Sequence, residues 1–288
     1  MVQKVVPPNM QAVEGVEIPT AVIAEDQALT FSATGDVDRA WQLGIFYLEV
    51  PEALNLETAR AFGTALLDPT NPYRDVPHFG ELEGFIALDN NQQTKLALRR
   101  HRWDQYYPPQ VAEFGRQLDA IGVSVMQHVL SESGIPKPMW QRASGGYSSG
   151  GGTAFLNFVH YDTRHSYWGL RPHTDYGFVT ILDATAPGLQ VDIDGVFVDV
   201  PVRPGYLAIH FGEALSYITA YGERQATAVR HRVLSQRDCD PIRHGIVYFA
   251  NPDLDGMVCQ FDAHGHERGS SSVVSLFERL ERDLTELA

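Results

Sequence analysis

The most informative chemistry in this sequence lies in residues 171–175, Arg-Pro-His-Thr-Asp, directly before the apolar run of residues 176–182. Side chains alternate between the two sides of an extended chain, so His173 and Asp175 are expected to project the same way. An imidazole and a carboxylate that converge at a strand end make part of a two-histidine, one-carboxylate metal site. Fe(II) is the usual metal for that ligand set.

His231 is the candidate for the second histidine. It opens the apolar segment His-Arg-Val-Leu-Ser, which follows the turn-rich residues 221–225. A His-x-Asp pair alone is a weak signal because it often arises by chance. With a distal histidine it predicts a site in which His173, Asp175 and His231 hold the metal and leave open positions for a 2-oxo acid and O2.

Arg243 is a candidate for binding an anion. It lies twelve residues after His231 and precedes the strand-like run Ile-Val-Tyr-Phe of residues 246–249. A guanidinium group can hold a carboxylate through two parallel hydrogen bonds. From residue types alone, a solvated arginine in a turn is the simpler interpretation.

The elements that must position these residues change in kind along the chain. Apolar residues at three-to-four spacing predict helices over 36–43, 56–67, 111–130 and 272–287. Short apolar runs separated by Gly, Pro and Asp predict strands over 44–50, 154–161, 178–183, 188–193, 196–200, 206–211, 231–234 and 246–250. Strands at this spacing indicate a sandwich or barrel. The glycine-rich residues 144–152 are predicted to be a flexible loop that can cover a site.

Composition narrows the function classes. The chain has 288 residues, is 44% hydrophobic and 20% charged, and carries a formal net charge of −14. Such an acidic surface disfavours nucleic acids and anionic membranes as partners. We find no signal-peptide pattern and no apolar run of membrane-spanning length, so we expect a cytoplasmic protein. The two cysteines, Cys239 and Cys259, are expected to be reduced thiols.

An ordered series of motifs resembles the isopenicillin N synthase-like branch of the Fe(II)/2-oxoglutarate-dependent dioxygenases. The motifs that carry the resemblance are residues 44–48, 159–161, 172–182, 188–191, 204–209, 228–233 and 243–252. The closest of them is the segment Pro-His-Thr-Asp-Tyr-Gly-Phe-Val-Thr-Ile-Leu, which contains the metal motif and the strand that follows it.

The resemblance implies a mainly β, α+β fold, a double-stranded β-helix (jelly roll) with flanking helices. A single non-haem iron dioxygenase domain would then cover residues 1–288. Its parts would be a helical N-terminal flank over 1–140, a jelly-roll core over 141–270 and a C-terminal helix over 271–288.

The resemblance also implies roles for individual residues. The metal ligands would be His173, Asp175 and His231. Arg243 would pair with the distal carboxylate of 2-oxoglutarate, with a hydrogen bond from Tyr161 in support. The serine that the family carries two residues after this arginine is Gly245 here, which removes one hydroxyl from the expected cosubstrate site. Candidate substrate contacts are the aromatic residues Tyr167, Trp168, Phe178, Tyr217 and Phe249.

The implied activity uses Fe(II), 2-oxoglutarate and O2 to hydroxylate or desaturate an unactivated C–H bond of a small-molecule metabolite, with release of succinate and CO2. One alternative is a 2-oxoglutarate-independent Fe(II) oxidase or cyclase of the isopenicillin N synthase type, which Gly245 favours. A second is a jelly-roll protein that binds metal without redox chemistry, such as a zinc hydrolase. The sequence specifies neither the substrate nor the oligomeric state.

Overall fold

The computed structural model describes residues 16–25, 27–80, 82–88, 93–162, 168–234 and 242–286. The helices are α1 (Asp36–Leu43), α2 (Leu56–Ala65), α3 (Trp103–Tyr106), α4 (Pro109–Glu132), α5 (Trp140–Ala143), α6 (Glu213–Thr219) and α7 (Val273–Glu286). The strands are β1 (Thr20–Ile23), β2 (Leu29–Phe31), β3 (Ile45–Glu49), β4 (Gly84–Leu88), β5 (Gln93–Arg99), β6 (Thr153–Asp162), β7 (Trp168–His173), β8 (Val179–Ala184), β9 (Leu189–Ile193), β10 (Val196–Asp199), β11 (Tyr206–Phe211), β12 (His231–Leu234), β13 (Ile242–Asn251), β14 (Met257–Phe261) and β15 (Glu267–Ser272).

Two facing sheets form the centre of the described structure. The large sheet has nine strands in the order β2-β1-β3-β11-β8-β13-β6-β5-β4, and the small sheet has four in the order β10-β9-β12-β7. All strand pairs in these two sheets are antiparallel except β1 with β3. Strands β14 and β15 form a separate hairpin. This arrangement is the predicted jelly roll.

The large sheet is buried on both faces, and β3 shows how. Phe46 and Leu48 pack into the core between the sheet and the helices, whereas Ile45 and Tyr47 pack into the core between the two sheets. Side chains alternate across a strand, so a strand covered on both faces is continuously apolar. This is why residues 44–50 could be recognised as a strand from sequence.

Glycine at position 44 ends α1 and lets β3 begin at once. Its backbone has φ 69°, in the left-handed region, and its N–H donates to the carbonyl of Ala40. A Cβ atom at this position would lie 2.5 Å from the carbonyl oxygen of Thr227. Gly44 is therefore required both by its backbone conformation and by the close approach of another segment.

The N-terminal part of the chain is less helical than predicted. Strands β1–β5 all precede residue 140, so the predicted helical flank contributes five of the nine strands in the large sheet. The hairpin of β4 and β5 was missed because the strand predictions rest on apolar runs, and β5 has only a short one between Lys95 and Arg99. The predicted helices over 36–43 and 111–130 are present as α1 and α4. No helix in the described ranges is long and apolar enough to cross a membrane.

The glycine-rich segment is packed, contrary to the prediction of a flexible cover. Residues 147–149 form a short 3-10 turn in which Tyr147 is completely buried. The Tyr147 hydroxyl lies 2.9 Å from that of Tyr248, which donates to Asp119 of α4 at 2.5 Å. Arg100 completes the group through an ion pair with Asp119. This buried network fixes the segment against α4 and β13.

Replacement of the central hydroxyl of this network tests its contribution to stability. Tyr248→Phe is expected to lower the free energy of unfolding by about 1–3 kcal/mol because the buried Tyr147 hydroxyl and the Asp119 carboxylate each lose a partner. Denaturant unfolding followed by circular dichroism measures the change. The control Tyr221→Phe, at a tyrosine that is 50% exposed, should stay within about 0.5 kcal/mol of the wild type. Equal stability of the two variants would contradict the described network.

Candidate metal centre

The two candidate histidine ligands lie on neighbouring strands of the small sheet. His173 is the last residue of β7 and His231 is the first of β12, and the two are direct cross-strand partners. Their ring centroids are 4.3 Å apart. Asp175 lies in the connection from β7 to β8, where the chain passes from the small sheet to the large one. The motif of residues 173–175 therefore spans the junction of the two sheets.

Backbone carbonyls orient both imidazole rings. Nδ1 of His173 lies 2.8 Å from the carbonyl oxygen of Arg171, and Nδ1 of His231 lies 3.2 Å from that of Val229. A carbonyl oxygen can only accept, so each Nδ1 carries the proton and each Nε2 keeps its lone pair. These Nε2 atoms lie 3.4 Å and 3.8 Å from the same Oδ1 of Asp175.

Three lone-pair donors thus face one another in a buried place. The ligand atoms of His173, Asp175 and His231 all lie within 4.8 Å of one another. Two imidazole nitrogens and a carboxylate oxygen repel each other unless a proton or metal ion lies between them. The donor set and its burial fit a divalent transition metal.

The charge states of these groups favour metal binding. Burial lowers the pKa of His231 to about 3, against the opposing attraction of Asp175. Burial also opposes protonation of His173, but the contact of its ring with the Asp175 carboxylate raises its pKa. For Asp175, burial would raise the pKa, yet the surrounding histidines hold it well below its ordinary value. The site therefore presents a carboxylate and, in His231, a neutral imidazole at neutral pH.

Thr180 and His210 support the other carboxylate oxygen, and the sequence did not single out either residue. Thr180 Oγ1 donates a hydrogen bond to Asp175 Oδ2, and His210 Nε2 lies 3.6 Å from the same atom. His210 is 2% exposed, lies on β11 and directly opposes Thr180 of β8. The signal that could have found His210 is its place two residues after the inward-facing Ala208.

A cavity of about 710 Å³ opens onto the candidate ligands His173 and Asp175. Of the five predicted substrate contacts, Phe249 lies on its wall. Phe178 lies instead in the helix-side core and is completely buried, and Tyr217 on α6 does not line the cavity. Tyr167 lies outside the described residues, and Trp168 begins β7.

Arg243 and Tyr161 are cross-strand partners on β13 and β6. The guanidinium carbon of Arg243 lies 5.4 Å from the centroid of the Tyr161 ring, and its Nε donates to the carbonyl of Ala186 at 3.0 Å. Arg243 is 3% exposed, and its buried Nη2 has no hydrogen-bond partner in the described structure. A buried guanidinium N–H without a described acceptor is suited to donating a hydrogen bond to an anion.

The two residues face different cavities. Tyr161 lines the larger cavity, whereas Arg243 lines a smaller one of about 300 Å³. The cosubstrate site that the resemblance implies would therefore extend from Tyr161 in the larger cavity to Arg243 in the smaller one. Gly245 adds no side chain to this wall, and a Cβ atom there would lie 3.2 Å from Cγ1 of Val159, a tight contact.

Comparisons with known proteins agree with this geometry. Residues 153–252 match the model of the 2OG-Fe(II) oxygenase superfamily. 1-Aminocyclopropane-1-carboxylate oxidase 3 of Cucumis melo is 31% identical over 160 residues, which are 54% of this chain and 48% of that protein. The chain thus aligns with about half the length of this curated relative.

Solved structures show the same fold at low sequence identity. The dioxygenase for auxin oxidation from rice superimposes with a TM-score of 0.70 at 21% identity, over 93% of this chain and 96% of that one. A full-length Neurospora crassa protein in complex with alpha-KG and 5-formyluracil gives 0.65 at 18% identity, over 84% and 87%. The matched family model covers β6 to β13 and includes His173, Asp175 and His231, so this region of the chain is similar to the 2OG-Fe(II) oxygenase superfamily.

Proposed function

We propose that this protein is an Fe(II)- and 2-oxoglutarate-dependent oxygenase that hydroxylates or desaturates an unactivated C–H bond of a small-molecule metabolite. Succinate and CO2 are its coproducts. The observation that carries the proposal is the convergence of His173, Asp175 and His231 beside an open cavity. Two neutral imidazoles and one carboxylate bind Fe(II) and leave positions free for a 2-oxo acid and O2.

The protein's part in the reaction is to hold the metal ion and to orient the substrate beside it. His173 and His231 present Nε2 to the metal because backbone carbonyls fix their Nδ1 protons. Thr180 holds the Asp175 carboxylate in place. When bound, Fe(II) with O2 and 2-oxoglutarate supplies the oxidising chemistry, and the surrounding cavity positions the substrate and limits access of water.

We assign the cosubstrate carboxylate to Arg243 and Tyr161. Arg243 offers a buried N–H group without a partner, and burial lowers the pKa of its guanidinium. A carboxylate would accept a charge-assisted hydrogen bond from this N–H group and would also stabilise the buried positive charge. The Neurospora crassa protein, of the same fold, was crystallised with alpha-KG, which supports a 2-oxo acid as the ligand.

The domain organisation and the cellular location of the protein are also proposals. We infer that residues 1–288 form one domain because the large sheet combines strands from both sides of residue 140. We infer a cytoplasmic location, which suits the buried free thiol of Cys259. Cys239 lies outside the described residues.

The alternative of a 2-oxoglutarate-independent oxidase rests on two observations. Gly245 leaves the wall beside Arg243 without a hydroxyl, and the Cucumis melo relative is named as an oxidase. Against it stands the unsatisfied Arg243, which needs an anion. Binding of 2-oxoglutarate separates the two functions.

Removal of either histidine ligand tests the metal site. His173→Ala and His231→Ala are each expected to abolish stoichiometric Fe(II) binding because only two protein ligands remain. Anaerobic equilibrium dialysis followed by metal analysis measures the bound iron. His266→Ala, at an exposed histidine, should bind iron like the wild type. Stoichiometric iron in both ligand variants would refute the assignment.

The hydrogen bond to Asp175 gives a subtler prediction. Thr180→Val removes the hydroxyl that orients the carboxylate and should weaken Fe(II) binding about tenfold to hundredfold. Competition with a metal-responsive dye under anaerobic conditions measures the affinity. The control Thr30→Val alters an exposed threonine on β2 and should leave the affinity unchanged. An unchanged affinity in Thr180→Val would show that the hydroxyl does not position the ligand.

Titration of 2-oxoglutarate into the anaerobic Fe(II) protein tests the cosubstrate. We expect a weak visible charge-transfer band as the 2-oxo acid chelates the metal. Arg243→Gln should raise the half-saturating concentration at least about tenfold because a charge-assisted hydrogen bond is lost. Arg230→Gln, at an arginine whose side chain is 48% exposed, is the control. A band that saturates equally in both variants would remove Arg243 from the cosubstrate site.

A further inference from the structure

A lysine lies on the wall of the larger cavity, which opens onto His173 and Asp175. Lys95 is in the middle of β5, directly opposite Val159 of β6, and both residues line the cavity. Its neighbours along the strand, Leu96 and Leu98, belong to the helix-side core. The alternation of the strand therefore directs the Lys95 side chain towards the cavity.

Lys95 differs from the other charged residues on this wall because it has no partner among the residues that the structure describes. Glu83 forms an ion pair with Arg99 at 3.3 Å, and His173 contacts Asp175 at 3.4 Å. No described residue forms a hydrogen bond or ion pair with Lys95, and burial alone lowers its pKa. A partly buried ammonium group without a counter-ion is unfavourable, so the cavity is suited to an anion.

A lysine without a described counter-ion contrasts with the charge of the chain as a whole. The formal net charge is −14, so most of the surface repels anions. The cosubstrate does not account for Lys95, because Arg243 already offers an unsatisfied N–H on the wall of the smaller cavity. Lys95 on the larger cavity and Arg243 on the smaller one each lack an ion-pair partner among the described residues, which fits one acid in each cavity.

The surroundings of Lys95 indicate the rest of the ligand. Asn157 lies diagonally across from Lys95, and residues paired in this way are about 7–8 Å apart, within reach of long side chains. It lines the same cavity, and its buried Oδ1 has no partner in the described structure. An amide can turn to present N–H or oxygen, so it can share one polar ligand group with the lysine. The apolar residues of the wall are Phe155, Leu170, Val247, Phe249, Leu254 and Phe277.

We propose that Lys95, with Asn157, binds the carboxylate of the substrate, and that this substrate is a small carboxylic acid with an apolar or aromatic body. Lys95 is then a specificity-determining residue, and the apolar wall holds the body beside His173 and Asp175. The inference rests on the proposed function, since it assumes that the molecule in this cavity is the one oxidised.

Paired probes that differ only in charge test the inference. Hydrocinnamate and its neutral amide, hydrocinnamamide, are titrated anaerobically into the Fe(II) protein with saturating 2-oxoglutarate, and binding is measured by ligand-observed NMR. The wild type should bind the acid about tenfold to hundredfold more tightly than the amide, as expected for a charged hydrogen bond. Lys95→Gln should bind both probes with the affinity that the wild type has for the amide.

The chain offers a matched control at its only other described lysine. Lys137 is exposed and lies over the ring of Trp140, so Lys137→Gln should keep the full preference for the acid. Circular dichroism and the cooperative unfolding transition establish that Lys95→Gln is folded. The affinity for the amide provides a second check because it does not depend on the charge of Lys95.

Three results with the acid and amide probes would overturn the inference. They are equal binding of acid and amide by the wild type, binding of neither at millimolar concentration, and an unchanged preference in Lys95→Gln. A parallel loss of 2-oxoglutarate affinity in Lys95→Gln would also overturn it, by assigning the lysine to the cosubstrate. The charge-transfer titration of wild-type protein reports separately on the proposed function. If that band is absent but Lys95→Gln still loses the acid preference, the function fails and the anion site stands.

Discussion

The constraint on which the structure depends is the meeting of three lone-pair donors, the Nε2 atoms of His173 and His231 and one oxygen of Asp175. The Nε2 atoms of His173 and His231 lie 3.4 Å and 3.8 Å from it, with their protons held away by backbone carbonyls. Such an arrangement is repulsive without a cation. Because the ligands come from the small sheet and from the connection to the large one, a bound metal would link the two sheets and stabilise the folded state.

Three regions can be distinguished near this metal centre: an apolar core between the sheets, a smaller cavity and a larger cavity. The inter-sheet core, with Leu182, Leu189 and Ala208, is apolar and also borders the smaller cavity at Arg243. The larger cavity reaches the metal ligands and carries Lys95 on the wall that β5 and β6 form. Lys95 and Arg243 line separate cavities and have no ion-pair partner among the described residues, which fits a reaction that uses two acids, a cosubstrate and a substrate.

The sequence predicted those parts of the structure that follow one regular pattern. Strands β11 and β12 were located to the residue because each contains a short apolar run that is bounded by turn residues. The candidate ligands could be selected because a His-x-Asp pair and a distal histidine have few other joint explanations. Strand β5 was missed because its cavity face carries polar residues such as Lys95, so the segment has no continuous apolar run. Support of Asp175 by His210 depends on pairing between distant strands, which no local pattern encodes. The glycine-rich segment appeared flexible because the sequence does not show that Tyr147 is buried against Tyr248.

The central claim is that oxidation by this protein consumes 2-oxoglutarate. The most direct measurement follows dissolved oxygen and carboxyl-labelled 2-oxoglutarate together, in protein loaded with Fe(II) and supplied with a panel of small aromatic carboxylic acids. The account predicts that succinate and labelled CO2 form in equal amounts, one of each for every O2 consumed. Oxygen uptake that proceeds without loss of 2-oxoglutarate would contradict the account and establish an oxidase in which the substrate supplies all the electrons.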